Sequence, residues 1–198
     1  GGTPSTTAIN ESWNGSSWTE VGDLNTAREK LAGAGISTAA LAIAGYNPSY
    51  SALNESWDGS SWTELADIND AREKLAAAGT TSAALAYGGD TPSVTANTES
   101  WNGSSWTEVS NLNTARKDLS GGGTSTSALA VGGSNSPAYL TVTESWDGSS
   151  WTEVNDLSTG RNSLAGDGSN STDNLVSGGT TGSNSAATEE WAFPSTPV

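Results

Sequence analysis

Apolar residues in this chain fall in short runs cut by glycine and by stretches of Ser, Thr and Asn, and the runs return in phase. One reads KLAGAG from Lys30, and after a polar gap AALAIAG follows from Ala39. A third leads into NESW, ending at Trp57, and beyond Asp58-Gly59 a fourth is SSWTEL. None of these windows carries the 3.6-residue period of an amphipathic helix, and glycine works against helix in each. Short runs bounded by turn residues read instead as strands. Asn14-Gly15, Asp58-Gly59, Asn102-Gly103 and Asp147-Gly148 are tight-turn signals, because these residue types reach positive φ cheaply. The pattern therefore predicts four strands per unit: A after the Arg near Leu31, B over the ALAxGG run, C into ESW, and D over SSWTEV.

The unit recurs along the chain. The Trp that closes ESW (EEW in the last copy) stands at 13, 57, 101, 146 and 191, in steps of 44, 44, 45 and 45. Between these lie NTAREKLAGAG from Asn25, NDAREKLAAAG from Asn69, NTARKDLSGGG from Asn113 and STGRNSLAGDG from Ser158. A four-stranded propeller blade takes roughly 40 to 50 residues, longer than a usual solenoid coil. The expected fold is all-β: a β-propeller of four-stranded antiparallel blades, forming a single domain over residues 1–191. Strands A, B and D occur four times and strand C five times. Four blades are expected, in a ring closed by pairing N- and C-terminal strands. Five is the alternative, with the further A and B supplied from upstream or by another subunit. Residues 192–198 (AFPSTPV) abandon the repeat and read as a tail.

Blades are wedges, crowded at the axis and splayed at the rim. Strands A and B carry Ala and Gly, which suits crowding. Strands C and D carry Trp13, Trp18, Trp57, Trp62, Trp101, Trp106, Trp146 and Trp151, eight of the nine tryptophans. Each can bury on the order of 200 Å² between blades, so the expected role of all eight is structural. Arg28, Arg72, Arg116 and Arg161 recur once per unit, as do Glu11, Glu55, Glu99 and Glu144. They are expected to form bidentate ion pairs at blade junctions.

Composition narrows the chemistry. The net charge is -15, with only seven Lys plus Arg, a poor match to phosphate backbones or anionic lipid. Neither nucleic acid nor membrane insertion is expected. Low hydrophobicity with high charge also marks disordered chains, but disorder does not require Trp to recur in phase. Cys, His and Met are absent, which removes disulfides, thiolate or imidazole metal sites and His-based catalysis. No metal, cofactor or catalytic residue is expected.

The order Arg28, an apolar run closing in a double glycine (Gly88-Gly89), Glu99, Trp101-Asn102 and Trp106 resembles the kelch repeat, whose blades show an arginine, a double glycine, a Glu-x-Tyr-Asp and a spaced Trp. The match covers nearly the whole chain. It departs where Trp stands for Tyr at 13, 57, 101 and 146, and where the first double glycine is Ala44-Gly45. A WD40 assignment fails because that family expects a Gly-His. Arrays of this ESWNGSSWTE kind also resemble those in tail or virion-associated proteins of marine bacteriophages. That resemblance implies host attachment and an extracellular or virion-associated location.

Strand alternation puts the B–C and D–A loops on one face of the disc. The B–C loops differ among units and hold three of the four tyrosines. Tyr with Ser and Asn suits adaptable recognition, and variable loops on a rigid scaffold tend to carry binding. Tyr46, Asn47, Tyr50, Asp90, Asn135 and Tyr139 are the candidate ligand contacts. The expected function is a non-catalytic recognition or adhesion module for a surface glycan or protein receptor. The alternative is a structural role, as a virion decoration or fibre spacer with strand exchange, in a homo-oligomer or on a larger virion or fibre protein.

Overall fold

The structure, a computed structural model, describes residues 6–192. Every regular element is a β-strand. A two-stranded sheet comes first, β1 (Glu11–Trp13) and β2 (Trp18–Glu20). Three complete blades follow in the order A-B-C-D. They are β3 (Ala32–Ile36), β4 (Ala39–Tyr46), β5 (Tyr50–Trp57) and β6 (Trp62–Glu64); β7 (Ala76–Thr80), β8 (Ala83–Tyr87), β9 (Thr98–Trp101) and β10 (Trp106–Glu108); and β11 (Ser120–Thr124), β12 (Ser127–Val131), β13 (Thr143–Trp146) and β14 (Trp151–Glu153). A fourth, three-stranded blade holds β15 (Ala165–Asn170), β16 (Asp173–Ser177) and β17 (Thr188–Ala192). All pairings are antiparallel, and the whole is a four-bladed β-propeller arrangement.

The C–D turns form for a local reason. Asp58 Oδ1 accepts the backbone N–H groups of Ser60 and Ser61 at 2.8 and 2.9 Å, while Gly59 takes φ +97°. Asn14, Asn102 and Asp147 cap their turns in the same way. An Asx side chain thus supplies what a backbone turn would otherwise lack.

Inner strands β3, β7, β11 and β15 stand side by side around the axis in that order. Their small residues permit it: a Cβ on Gly122 of β11 would lie 2.6 Å from the Gly168 nitrogen of β15. The tryptophans fill the rim. Trp101 and Trp106, 5.3 Å apart between ring centroids, pack with Leu41 and Ile43 of the preceding blade. Trp146 and Trp151 pack likewise with Leu85 and Tyr87. In the four blades that have an A–B turn, the C-strand indole also donates its Nε1–H to that turn, for example Trp101 to the Thr81 carbonyl at 2.9 Å and Trp146 to Ser125 at 3.1 Å.

Two expectations are corrected. The ring is not closed by pairing N- and C-terminal strands among the described residues. Strand β17 fills the C position beside β16, so β1 and β2 pair only with each other. The fifth copy of strand C competes for one place and takes it by adjacency in the chain. Nor are all eight tryptophans buried. Trp57, Trp101, Trp106, Trp146 and Trp151 are buried and Trp62 is half-buried, but Trp13 and Trp18 are 49% and 63% exposed. Those two lack a neighbouring blade to pack against. The expected tail begins inside β17 at Ala192, and the rest of it lies outside the described residues.

Candidate binding face

The repeated charges hold each blade at the junction of the D–A loop and strand C. Arg28, Arg72, Arg116 and Arg161 pair with Glu55, Glu99, Glu144 and Glu189 of their own blades. The pairs are not bidentate. One oxygen of Glu99 meets Arg72 at 3.1 Å, and the other accepts the Asn69 N–H at 2.7 Å. Glu144 divides its oxygens the same way between Arg116 and Asn113. Each carboxylate thus ties a loop as well as a guanidinium. In blade 4 the Arg161–Glu189 contact measures 2.8 Å, but neither atom forms a directed hydrogen bond. Glu11 makes no ion pair among the described residues, where the notional partner would be an Arg one unit earlier.

The B–C loops meet the D–A loops on one face, as strand alternation requires. In blade 1 the loop is a tight extension of the hairpin. Tyr46 pairs across to Tyr50, and the two rings meet edge-on with centroids 6.1 Å apart. Lys30 Nζ sits 5.2 Å above the Tyr46 ring, a cation–π arrangement. The Tyr50 phenol is pushed above its ordinary pKa, first by loss of solvent and then by the charges of Asp90 and Glu73. Asn47 closes the loop by donating its N–H to the Ser49 carbonyl at 2.8 Å.

Asp90 is nearly buried and accepts a 2.7 Å hydrogen bond from Lys117 Nζ. That bond is the main reason the Lys117 pKa lies above its ordinary value. Asp90 and Asn135 line one open depression of about 770 Å³, together with Pro92, Val94 and Lys117. Tyr139 is 41% exposed and lies apart, beside Gly160 and Gly182 on the side of blades 3 and 4. The structure therefore gathers Tyr46, Asn47, Tyr50 and Asp90 around blades 1 and 2, brings Asn135 in through Asp90, and leaves Tyr139 at another part of the face.

Sequence reasoning missed the charged residues that open strand A. Lys30 reaches Glu29 and Glu73, each at 3.2 Å, and Lys74 reaches Glu73 at 3.4 Å. Burial raises the carboxyl pKa of Asp118, which stands near Lys74 and Lys117. The signal was present in the repeated REK and RKD phrases, which follow the D–A loop onto this same face. Lys30, Lys74, Asp118 and Ser163 all take positive φ, and a chain of backbone hydrogen bonds links them: Lys74 N–H to Lys30 O, Asp118 N–H to Lys74 O, Ser163 N–H to Asp118 O. No group of His, Cys, Asp or Glu arranged to hold a metal ion occurs among the described residues.

No protein-family description matches the chain, and no curated protein matches it. Solved structures do share its architecture. The one titled "Structure of YjhT", a propeller-type protein, superposes with a TM-score of 0.72 over 88% of this chain and 68% of that one, at 12% sequence identity. At that identity the likeness establishes the fold alone.

Proposed function

We propose that the protein is a non-catalytic recognition module whose B–C loop face meets a surface glycan or a protein receptor. The observation that carries this reading is the convergence of the Tyr46–Tyr50 pair with Asp90, Lys30 and Lys117 on one face of a rigid disc. Two aromatic rings at a loop tip offer flat apolar contact at low entropic cost, and the neighbouring ion pairs offer oriented donors and acceptors. The kelch-like resemblance of the repeat, and its likeness to virion-associated arrays, point the same way: host attachment from an extracellular or virion surface.

A glycan array, with candidate surface proteins in parallel, tests the reading. Tyr46→Ala and Tyr50→Ala are expected to weaken binding at least tenfold, since interface aromatics cost about 2 kcal/mol or more when truncated. Both variants should keep the parent melting temperature. Absence of binding to every saccharide and protein, with an ordered assembly seen by mass, would favour the second reading, a structural component. That reading draws on the exposed apolar residues Trp13, Trp18 and Leu175.

A further inference from the structure

At two blade junctions the residue after the closing glycine of strand B is bonded to the residue after the arginine of the next unit. Between blades 3 and 4 the pair is neutral, with the Asn162 amide donating to Ser134 Oγ at 3.4 Å. Between blades 2 and 3 it is charged, with Lys117 Nζ donating to Asp90 Oδ2 at 2.7 Å. The same positions hold Tyr46 and Glu73 between blades 1 and 2. A junction therefore closes without an ion pair at this place, and Asp90 with Lys117 is the exception. Scaffolding does not account for it.

The pair stands in the wall of the open depression of about 770 Å³, a size within the usual range of small-molecule sites. Asp90 is only 8% exposed, yet its second carboxylate oxygen, Oδ1, accepts no hydrogen bond from a described residue. Lys117 Nζ carries three protons and spends one of them on Asp90. The Asn135 side chain lines the same depression, is exposed, and forms no hydrogen bond to a described residue. Pro92 and Val94 supply apolar surface there. Charge selects among ligands. An anion brought to this wall meets Asp90, and Asp118 acts on Lys117 from nearby. A cation has to displace Lys117 from Asp90. What fits is a neutral group that sets a donor beside an acceptor.

We infer that the depression between blades 2 and 3 binds a neutral pyranoside through two adjacent hydroxyls, one donating to Asp90 Oδ1 and its neighbour accepting from Lys117 Nζ. The inference rests on the reading of this face as a recognition surface, and adds to it a ligand class and a subsite. Each hydroxyl is donor and acceptor at once, so an adjacent pair satisfies both partners without bringing charge. A further hydroxyl reaches the Asn135 amide, and the C–H face of the ring lies on Pro92 and Val94. Tyr46 and Tyr50 stand outside this lining, so truncating them and altering the ion pair test separate claims.

Methyl glycosides of glucose, galactose and mannose, titrated into the isotope-labelled chain and followed by NMR, are the probes. At least one should shift the Asn135 side-chain amide and the Asp90 backbone amide, and its fully O-methylated counterpart should bind at least tenfold more weakly. Asp90→Ser together with Lys117→Asn copies the neutral pair of the next junction. It should keep the melting temperature and weaken binding at least tenfold, and Asp90→Asn, which keeps the shape of the wall, should weaken it in the same direction. Methyl glucuronide should bind no better than methyl glucoside. The inference is overturned if binding survives both variants, if the glucuronide is preferred, or if no pyranoside binds while a protein receptor for this face is found. Should the face bind no saccharide and no protein at all, the wider reading falls with it.

Discussion

The octapeptide WNGSSWTE occurs twice without change, at 13–20 and at 101–108, and the two copies live in opposite surroundings. Both fold the same way locally. Each makes a C–D hairpin with paired Trp residues, ring centroids 5.5 and 5.3 Å apart, and each caps its turn through an asparagine Oδ1. Yet Trp101 and Trp106 are 2% and 6% exposed, while Trp13 and Trp18 lie largely in solvent. The local word specifies the hairpin. Burial of its indoles depends on a neighbouring blade that one copy has and the other lacks.

The sharpest way to break this comparison is to truncate both. Trp101→Ala should cost roughly 3–5 kcal/mol, the range for emptying a large aromatic site, and would also orphan the Thr81 carbonyl. Trp13→Ala should stay within about 0.5 kcal/mol, as for an exposed side chain. Denaturant titration measures both, and equal losses would show that the indoles act within the hairpin and not between blades.

Arginine gives the next contrast. Arg116→Ala leaves Glu144 buried beside an empty site, a loss of about 3–5 kcal/mol for a broken buried pair. Arg161→Ala should cost clearly less, because the Glu189 side chain is 27% exposed and can be hydrated. Glycine follows. Gly121→Ala must displace the Tyr87 hydroxyl or the Leu129 carbonyl and should cost about 1–3 kcal/mol, whereas Gly33→Ala should leave the melting temperature unchanged.

The smallest effect distinguishes the Asp-capped turns from the Asn-capped ones. Hydrogen bonds from the backbone of Ser61 and from Ser60 hold the Asp58 pKa at about 2, and bonds from Ser150 and Ser149 do the same for Asp147. The folded values lie below the ordinary 3.8, so the stabilisation is present above about pH 4 and fades as pH falls toward 2. Asp58→Asn with Asp147→Asn should flatten the acid side of the stability profile in that window. A profile unaltered by the double substitution would mean that these carboxylates do not contribute.

The repeat was legible because its period, its turns and its strand lengths are all local properties. Gly59 and Asp58 announce a turn wherever they stand, and an apolar run bounded by such turns has few alternatives to a strand. The arginine and glutamate were legible as a recurring pair, but the Asn69 amide sharing the Glu99 carboxylate was not, since that bond spans 30 residues. On the candidate face, the variable loops pointed to Tyr46, Tyr50 and Asp90. The lysines beside them were overlooked because they repeat, and repetition reads as scaffold.

Thus the sequence by itself determined the blade: four strands, their order, the capped turns, and small residues at the hub with indoles at the rim. Tertiary structure alone decided which strand C joined β16, which indoles were covered and which edge stayed open. Hydrogen-bonded turns and strand alternation are settled within a few residues, whereas burial is settled by whichever surface lies opposite, and an identical stretch of chain carries no record of its neighbour.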